Sequence, residues 1–210
     1  MVGLQAVYSD AIRNNRARGS QYFYEMHSRL IRRYSEVYDI PFLNACIAFS
    51  RLSPRTSVSL NLKAFVLLIN GKPKPNGVLT ANWHSAVNAL SLSERDAYDY
   101  LYNQPLTKVR AFTRNLLLDD GVITIDAIML RILKDYYPIP TLNHLFQYYP
   151  EWHSRVYPAI RALDPSIPAY RVQAVLWDYA RRLYAPIPKD ATLSTETRII
   201  SSTEMPLFGV

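Results

Sequence analysis

An amine and a carboxylate eighteen positions apart are the residues of this sequence best placed to do chemistry. Lys108 falls in the first turn of a helix introduced by Pro105 and expected to run to about Leu118. At such a position the unpaired backbone N–H groups and the positive end of the helix dipole disfavour an ammonium ion. A lysine that sheds its proton more readily is a nucleophilic amine near neutral pH. Asp126 stands where the apolar run Val122–Ile125 gives way to another helix, and the free N–H groups of a helix start favour a carboxylate there. An amine and a carboxylate of this kind can attack, and then stabilise, a sugar carbon that develops positive charge. Each residue also has an ordinary explanation, since first-turn lysines are commonly solvated and an Asp at a helix start commonly caps it. Local spacing leaves both readings open.

Other chemistries find little support. His27, His84, His144 and His153 form no HxxxH pair, and no carboxylate stands in register with any of them, so no metal is expected. There is no GxxxxGK[ST], no GxGxxG and no GxSxG, which removes the usual basis for nucleoside-triphosphate, dinucleotide and serine-hydrolase chemistry. No cofactor is expected. The single cysteine, Cys46, excludes an internal disulfide, a cysteine-rich zinc site and a cysteine-ligated iron–sulfur cluster on this chain alone. It lies in an apolar run, as an inert core thiol does, and the sparing use of cysteine fits a reducing, cytoplasmic setting.

Charge points toward a polyanion. Lys and Arg total 24 against 17 Asp and Glu, a formal net charge of +7, which suits nucleic acid and equally suits solubility alone. Sixteen tyrosines against seven phenylalanines add rings with polar tips, a composition suited to base stacking as well as to a core. The basic candidates fall in three places. Arg51 and Arg55 flank the Ser53–Pro54 break, Lys72 and Lys74 lie on a Gly/Pro-rich loop, and Arg110 and Arg114 follow Lys108. Gln173 and Trp177, four apart, share a helix face, where Gln173 can anchor a buried polar contact or a substrate.

The elements that must position these groups are helical. At 210 residues the chain makes one ordinary domain or two small lobes, and 49% hydrophobic residues suffice for a core. No apolar run approaches the roughly 18–20 residues of a membrane span, and the N-terminus lacks the segment order of a signal peptide. Apolar residues recur three and four apart from Tyr22 to Tyr38. Further helices are expected over Phe42–Leu52, Val58–Asn70 (capped by Thr56 or Ser57), Thr80–Leu90, Ser93–Asn103 and Asp126–Tyr136. One or two more lie between Thr141 and Leu163, and the last runs from Pro168 to Tyr184. Val122–Ile125 reads as a stub of strand with no obvious partner, and 189–210 as a polar tail. The fold class is all-α.

The order of residues then suggests a family. KVRAFTRNLLLDDGVITIDAIMLRIL resembles the region that follows the hairpin in helix-hairpin-helix DNA glycosylases of the endonuclease III type. In that alignment Lys108 takes the place of the family's catalytic lysine, Asp126 that of its catalytic aspartate, and Arg131 that of the arginine closing the motif. Upstream, LSPRTSVSLNLKA is similar to the family's Ser-Ala-Gln-x-Thr-Asp segment through Ser53, Thr56, Ser57, Val58, Ser59 and Asn61. The resemblance spans about 43–133. Where the family carries a Leu-Pro-Gly-x-Gly hairpin this chain reads Tyr102-Asn-Gln-Pro-Leu-Thr107, so Asn103 and Gln104 would have to substitute for glycines that bring backbone N–H groups to a phosphate. Ala127 and Ile128 replace the family's Thr-His, and Pro54 stands near its helix-opening glutamine.

The resemblance implies a two-lobed helical fold with a central cleft. Residues 1–42 would join the second lobe, 43–124 would form the central lobe, 125–188 the second lobe and 189–210 a tail. It implies double-stranded DNA as partner and excision of a damaged or modified base, with Lys108 as nucleophile and Asp126 as its assistant. The DNA contacts would come from Arg51, Arg55, Lys72, Lys74, Asn103, Gln104, Arg110 and Arg114, supported by Ser53, Thr56, Arg131 and Gln173. Two alternatives stay open: processing of hypermodified pyrimidines in phage DNA on the same fold, and a non-catalytic DNA-binding or virion-associated module. The oligomeric state is left open.

Overall fold

The computed structural model describes residues 3–14 and 19–184. Eleven α-helices account for most of them, with no β-strand among the described residues, so the fold is all-α.

The stretch read from Tyr22 to Tyr38 is helix α2, Phe23–Val37, and buries Tyr24, His27, Ile31 and Tyr34 along one stripe. Helix α1, Leu4–Asn14, precedes it and is an addition to the sequence reading, although Leu4, Val7, Tyr8 and Ala11 have helical spacing. Pro41 precedes α3, Phe42–Leu52, which is buried nearly all round, as its apolar composition requires. The chain breaks at Ser53–Thr56, where Arg55 takes a left-handed conformation (φ +64°). Ser57 rather than Thr56 then caps α4, Val58–Ile69, its hydroxyl accepting from Leu60 N–H at 3.2 Å. Helix α5, Thr80–Leu90, follows the Gly71–Gly77 loop.

Ser93 caps α6, Glu94–Tyr98, and hydrogen-bonds Asp96. The helix expected to reach Asn103 instead widens into a π turn at Asp99–Asn103, a change of register that apolar spacing does not encode. Helix α7 begins at Lys108 and ends at Leu116. Thr107, not Pro105, sets its start, accepting from Arg110 N–H at 3.3 Å. Asp126 caps α8, Ala127–Leu133. Two helices fill the next interval, α9 (Leu142–Gln147) and α10 (Tyr149–Leu163), before α11, Ala169–Tyr184. The polar tail expected at 189–210 lies outside the described residues.

Buried apolar side chains fall into two clusters. The first joins α2 through α7 around Ile31, Phe49, Phe65 and Leu116. The second joins α1, α8, α9, α10 and most of α11 around Ile123, Met129, Val156 and Leu176. The expected grouping of residues 1–42 needs correcting: α1 packs into the second cluster through Tyr8 and Ala11, but α2 packs into the first. The physical reason is that the Tyr24, Ile31 and Tyr34 stripe faces the nearly all-apolar α3. Helices α7 and α11 serve both clusters. Phe112 and Ala174 belong to the first, Ala111 and Val175 to the second.

A candidate active site between two cores

Where the two clusters meet, a cavity of about 100 Å³ opens. Its lining comes from α2, α3, the 53–57 break, α4, α7, the 124–126 segment and α11, and includes both Lys108 and Asp126. The amine and the carboxylate singled out in the sequence therefore share one space.

Asp126 is delivered by the buried segment 122–125. This segment belongs to no helix and has no neighbouring strand among the described residues, so side chains must satisfy its backbone. They do so at almost every residue. Asn115 donates to Val122 C=O at 2.8 Å and accepts the Thr124 hydroxyl at 2.8 Å. His153 Nε2 accepts from Ile123 N–H at 3.1 Å, and the Tyr149 hydroxyl accepts from Ile125 N–H at 2.9 Å. Burial, helped by the Arg114 charge, pushes the His153 pKa down to about 4, which keeps the ring neutral and Nε2 an acceptor.

The carboxylate that emerges is held from three directions. Asp126 Oδ1 accepts from the N–H groups of Ile128 and Met129, each at 2.9 Å, and Oδ2 accepts from Trp177 Nε1 at 3.0 Å. The aspartate is thus both a helix cap and a fixed charge on the cavity wall.

Lys108 differs in every respect. It is the first residue of α7, it is half-buried, and its ammonium makes no hydrogen bond or ion pair among the described residues. Burial lowers its pKa from the ordinary lysine value, opposed in part by the Asp126 charge. It is the one cation among the lining residues.

Aromatic rings make much of the remaining wall. Phe23 lies 5.9 Å from Trp177 and 6.5 Å from Phe112, centre to centre, and Phe49 lies 6.2 Å from Phe112. Polar groups interrupt them. The Tyr24 hydroxyl donates to Gln173 Oε1 at 2.7 Å, and Asn61 Oδ1 is buried with no partner. A buried orphan acceptor of this kind ordinarily costs ~1–3 kcal/mol. Ser53 and Thr56 also line the cavity, though their hydroxyls stitch the chain break by donating to Ser50 C=O and to Leu52 and Ser53 C=O.

The basic and amide candidates for DNA contact lie off this wall. Arg51 donates to Ser85 C=O and stacks over Tyr100, with Arg110 also placed over that ring. Arg110 further donates to the carbonyls of Tyr100 and Pro105. Arg114 is paired with Asp119 at 2.7 Å and stands over Tyr102. Lys74 closes its own loop on Val78 C=O, while Lys72 and Arg55 are exposed. Asn103 and Gln104, the stand-ins for hairpin glycines, both donate to Asp99. No residue between 103 and 107 has positive φ, so the backbone there makes no left-handed turn of the kind the hairpin glycines allow. Arg131 sits half-buried in the last turn of α8, away from the cavity.

Several lining residues escaped sequence reasoning as parts of a site. Tyr24, Phe49, Phe112 and Thr124 come from four separate segments, and nothing in local spacing unites them. Trp177 carried a signal, as the partner of Gln173 on an otherwise apolar stripe, but its indole N–H on Asp126 is a tertiary contact. Among the described residues no group of three or more His, Cys, Asp or Glu is arranged to hold a metal ion, and no helix is long and apolar enough to cross a membrane.

Compared with known proteins, residues 3–182 match the model of a family of unknown function, DUF7178, and the chain belongs to that family. No curated protein and no solved structure matches it.

Proposed function

We propose that the protein is a DNA glycosylase that takes an extruded base into the cavity between its two cores and attacks the exposed sugar carbon with Lys108. The observation that carries this reading is an unpartnered, half-buried amine opening into the same aromatic-lined space as a carboxylate fixed by three N–H donors. Aromatic walls suit a stacked base and a buried amine suits a nucleophile. The positively charged sugar of the transition state suits a preorganised negative charge that needs no reorganisation.

The step balances simply. The Lys108 lone pair forms a bond to the sugar C1′ as the bond from C1′ to the base nitrogen breaks. That electron pair leaves with the base, which takes a proton. The attached nitrogen then loses a proton, its lone pair forms a C1′=N double bond as the C1′–O4′ bond breaks, and O4′ keeps that bond's electron pair and takes up a proton, leaving a protonated imine. Asp126 contributes charge opposite the sugar, and Trp177 keeps that charge in place. Borohydride reduces such an imine to a stable amine. Wild-type protein on an abasic-site duplex is therefore expected to yield a covalent adduct, and Lys108→Ala none. Base release that persists in Lys108→Ala without any adduct removes Lys108 from the nucleophile role.

One observation favours a second reading on the same site. The connection at 103–107 has no glycine and no positive φ, and its two amide side chains are spent on Asp99. A chain lacking the hairpin glycines suits chemistry on the side group of a modified pyrimidine as well as excision. Mass spectrometry of digested DNA separates the two: excision yields a free base, side-group chemistry a nucleoside of altered mass.

A further inference from the structure

We propose that Arg51 and Arg110, gathered on the ring of Tyr100, form a site for the phosphodiester backbone of DNA, outside the cavity and beside the first turn of α7. The inference rests on the reading of DNA as the partner and names where its backbone is held.

The site consists of two cations that the protein orients but does not neutralise. The guanidinium carbons of Arg51 and Arg110 stand over the Tyr100 ring at 4.5 and 4.6 Å from its centre. The two charges therefore lie within about 9 Å of one another, inside a Debye length at moderate salt. Backbone carbonyls fix both. Arg51 donates to Ser85 C=O at 2.8 Å, and Arg110 donates to Tyr100 C=O at 2.7 Å and to Pro105 C=O at 2.6 Å. A carbonyl aligns a guanidinium without cancelling its charge, and neither arginine has an ion pair among the described residues. Most N–H donors of each fork stay unused, and the Tyr100 hydroxyl has no partner among the described residues. All three side chains are half-buried, so each keeps a face toward solvent.

Other arginines are answered within the protein. Arg114 also stands over a tyrosine, Tyr102, but its charge meets Asp119 at 2.7 Å. Arg161 faces Asp120 and Arg171 faces Glu25. At Tyr100 two like charges are held close with no carboxylate on them, and an anion removes their repulsion. Guanidinium forks already fixed in place lose little freedom on binding, and their planar N–H pairs match phosphate oxygens. The net charge of +7 favours a polyanion over a single carboxylate. Neighbouring phosphates of one strand advance only ~3.4 Å along the helix axis, so two arginines this close engage one phosphate or adjacent ones.

The site also stands in a useful place. Arg51 lies two residues before Ser53 and Arg110 two residues after Lys108, and both Ser53 and Lys108 line the cavity. Residues two apart on a helix face different ways, so Arg110 stands outside the cavity while sharing the first turn of α7 with the amine. A strand held there runs beside the turn that carries Lys108.

Binding of the full-length protein to an undamaged duplex, followed by fluorescence anisotropy over a salt series, tests the site. Arg51→Gln and Arg110→Gln are each expected to weaken binding about tenfold and to lower the slope of log affinity against log salt by about one. Tyr100→Leu keeps both charges and loses the ring that aligns them, so affinity is expected to fall with the slope unchanged. Arg51→Gln puts a single carbonyl bond at stake, so it decides the matter even where Arg110→Gln fails to fold. Affinity and slope that Arg51→Gln leaves at their wild-type values overturn the inference, as does a wild-type protein that binds no duplex. Borohydride trapping of the wild-type protein on an abasic duplex reports the parent reading separately. Trapping with an unmoved slope defeats this inference alone, whereas a lowered slope without trapping upholds it and defeats the Lys108 chemistry.

Discussion

The polar groups around the cavity are of two opposite kinds. Around Asp126 nearly every polar group is answered. Asn115, His153 and Tyr149 satisfy the backbone of the 122–125 segment, Asn115 also takes the Thr124 hydroxyl, and three N–H donors converge on the carboxylate. By contrast, Lys108, Asn61 and the amide nitrogen of Gln173 have no protein partner among the described residues, and all three belong to residues that line the same space. A saturated network holds its members in one geometry, whereas unanswered buried groups cost free energy that an occupant can recover. The difference divides the labour: one set of groups positions, the other is left for a ligand.

That contrast can be broken by substitution. The largest effect is expected in the saturated set. Asn115→Ala strands the Thr124 hydroxyl and the Val122 carbonyl in the interior, and urea unfolding should show a loss of roughly 2–4 kcal/mol. Next comes pH. His153 titrates near 4 in the folded chain against an ordinary 6.5, so the unfolded chain binds the proton first as pH falls. The stability that its neutral ring contributes is complete above about pH 6.5 and declines between there and pH 4, by on the order of 2–3 kcal/mol. His153→Gln, which keeps an acceptor for Ile123 N–H, should flatten that part of the profile.

The smallest effect has the opposite sign. Lys108→Met removes a half-buried, unpartnered cation, and stability should rise by up to ~1 kcal/mol while trapping disappears. Because the folded pKa of Lys108 lies below its unfolded value, the cost of the ammonium is full below the folded pKa. The gain from the substitution should therefore fade as pH approaches the ordinary lysine range. A stability loss in Lys108→Met would place the lysine on the structural side of the comparison.

Much of the architecture was legible in the residues. The helix from Phe23 to Val37 follows from its apolar period, the Ser93 cap and a cap at Thr56 or Ser57 from side-chain chemistry, and the break at Ser53–Thr56 from Pro54. The parts that were not legible depend on tertiary contact. Val122–Ile125 reads as a strand by composition, yet His153 and Tyr149, about 25–30 residues away, stand in for a strand partner. Which residues would line the cavity was equally hidden, since Phe23, Asn61 and Trp177 meet only after two cores form. Lys108 and Asp126 were visible because a helix start imposes its electrostatics locally. Arg51, Arg110 and Arg114 show the limit of such reasoning: a charge count finds cations but not the carbonyls, carboxylate and rings that hold them.

The central claim is that Lys108 and Asp126 act on one another across one cavity. Titration of the lysine side chains by nitrogen-detected NMR, in the wild-type chain and in Asp126→Asn, tests it most directly. Lys108 should lose its proton below the ordinary lysine value, and lower still once the opposing carboxylate becomes an amide. A Lys108 that titrates like a solvated lysine, with a midpoint that Asp126→Asn leaves in place, would contradict the account.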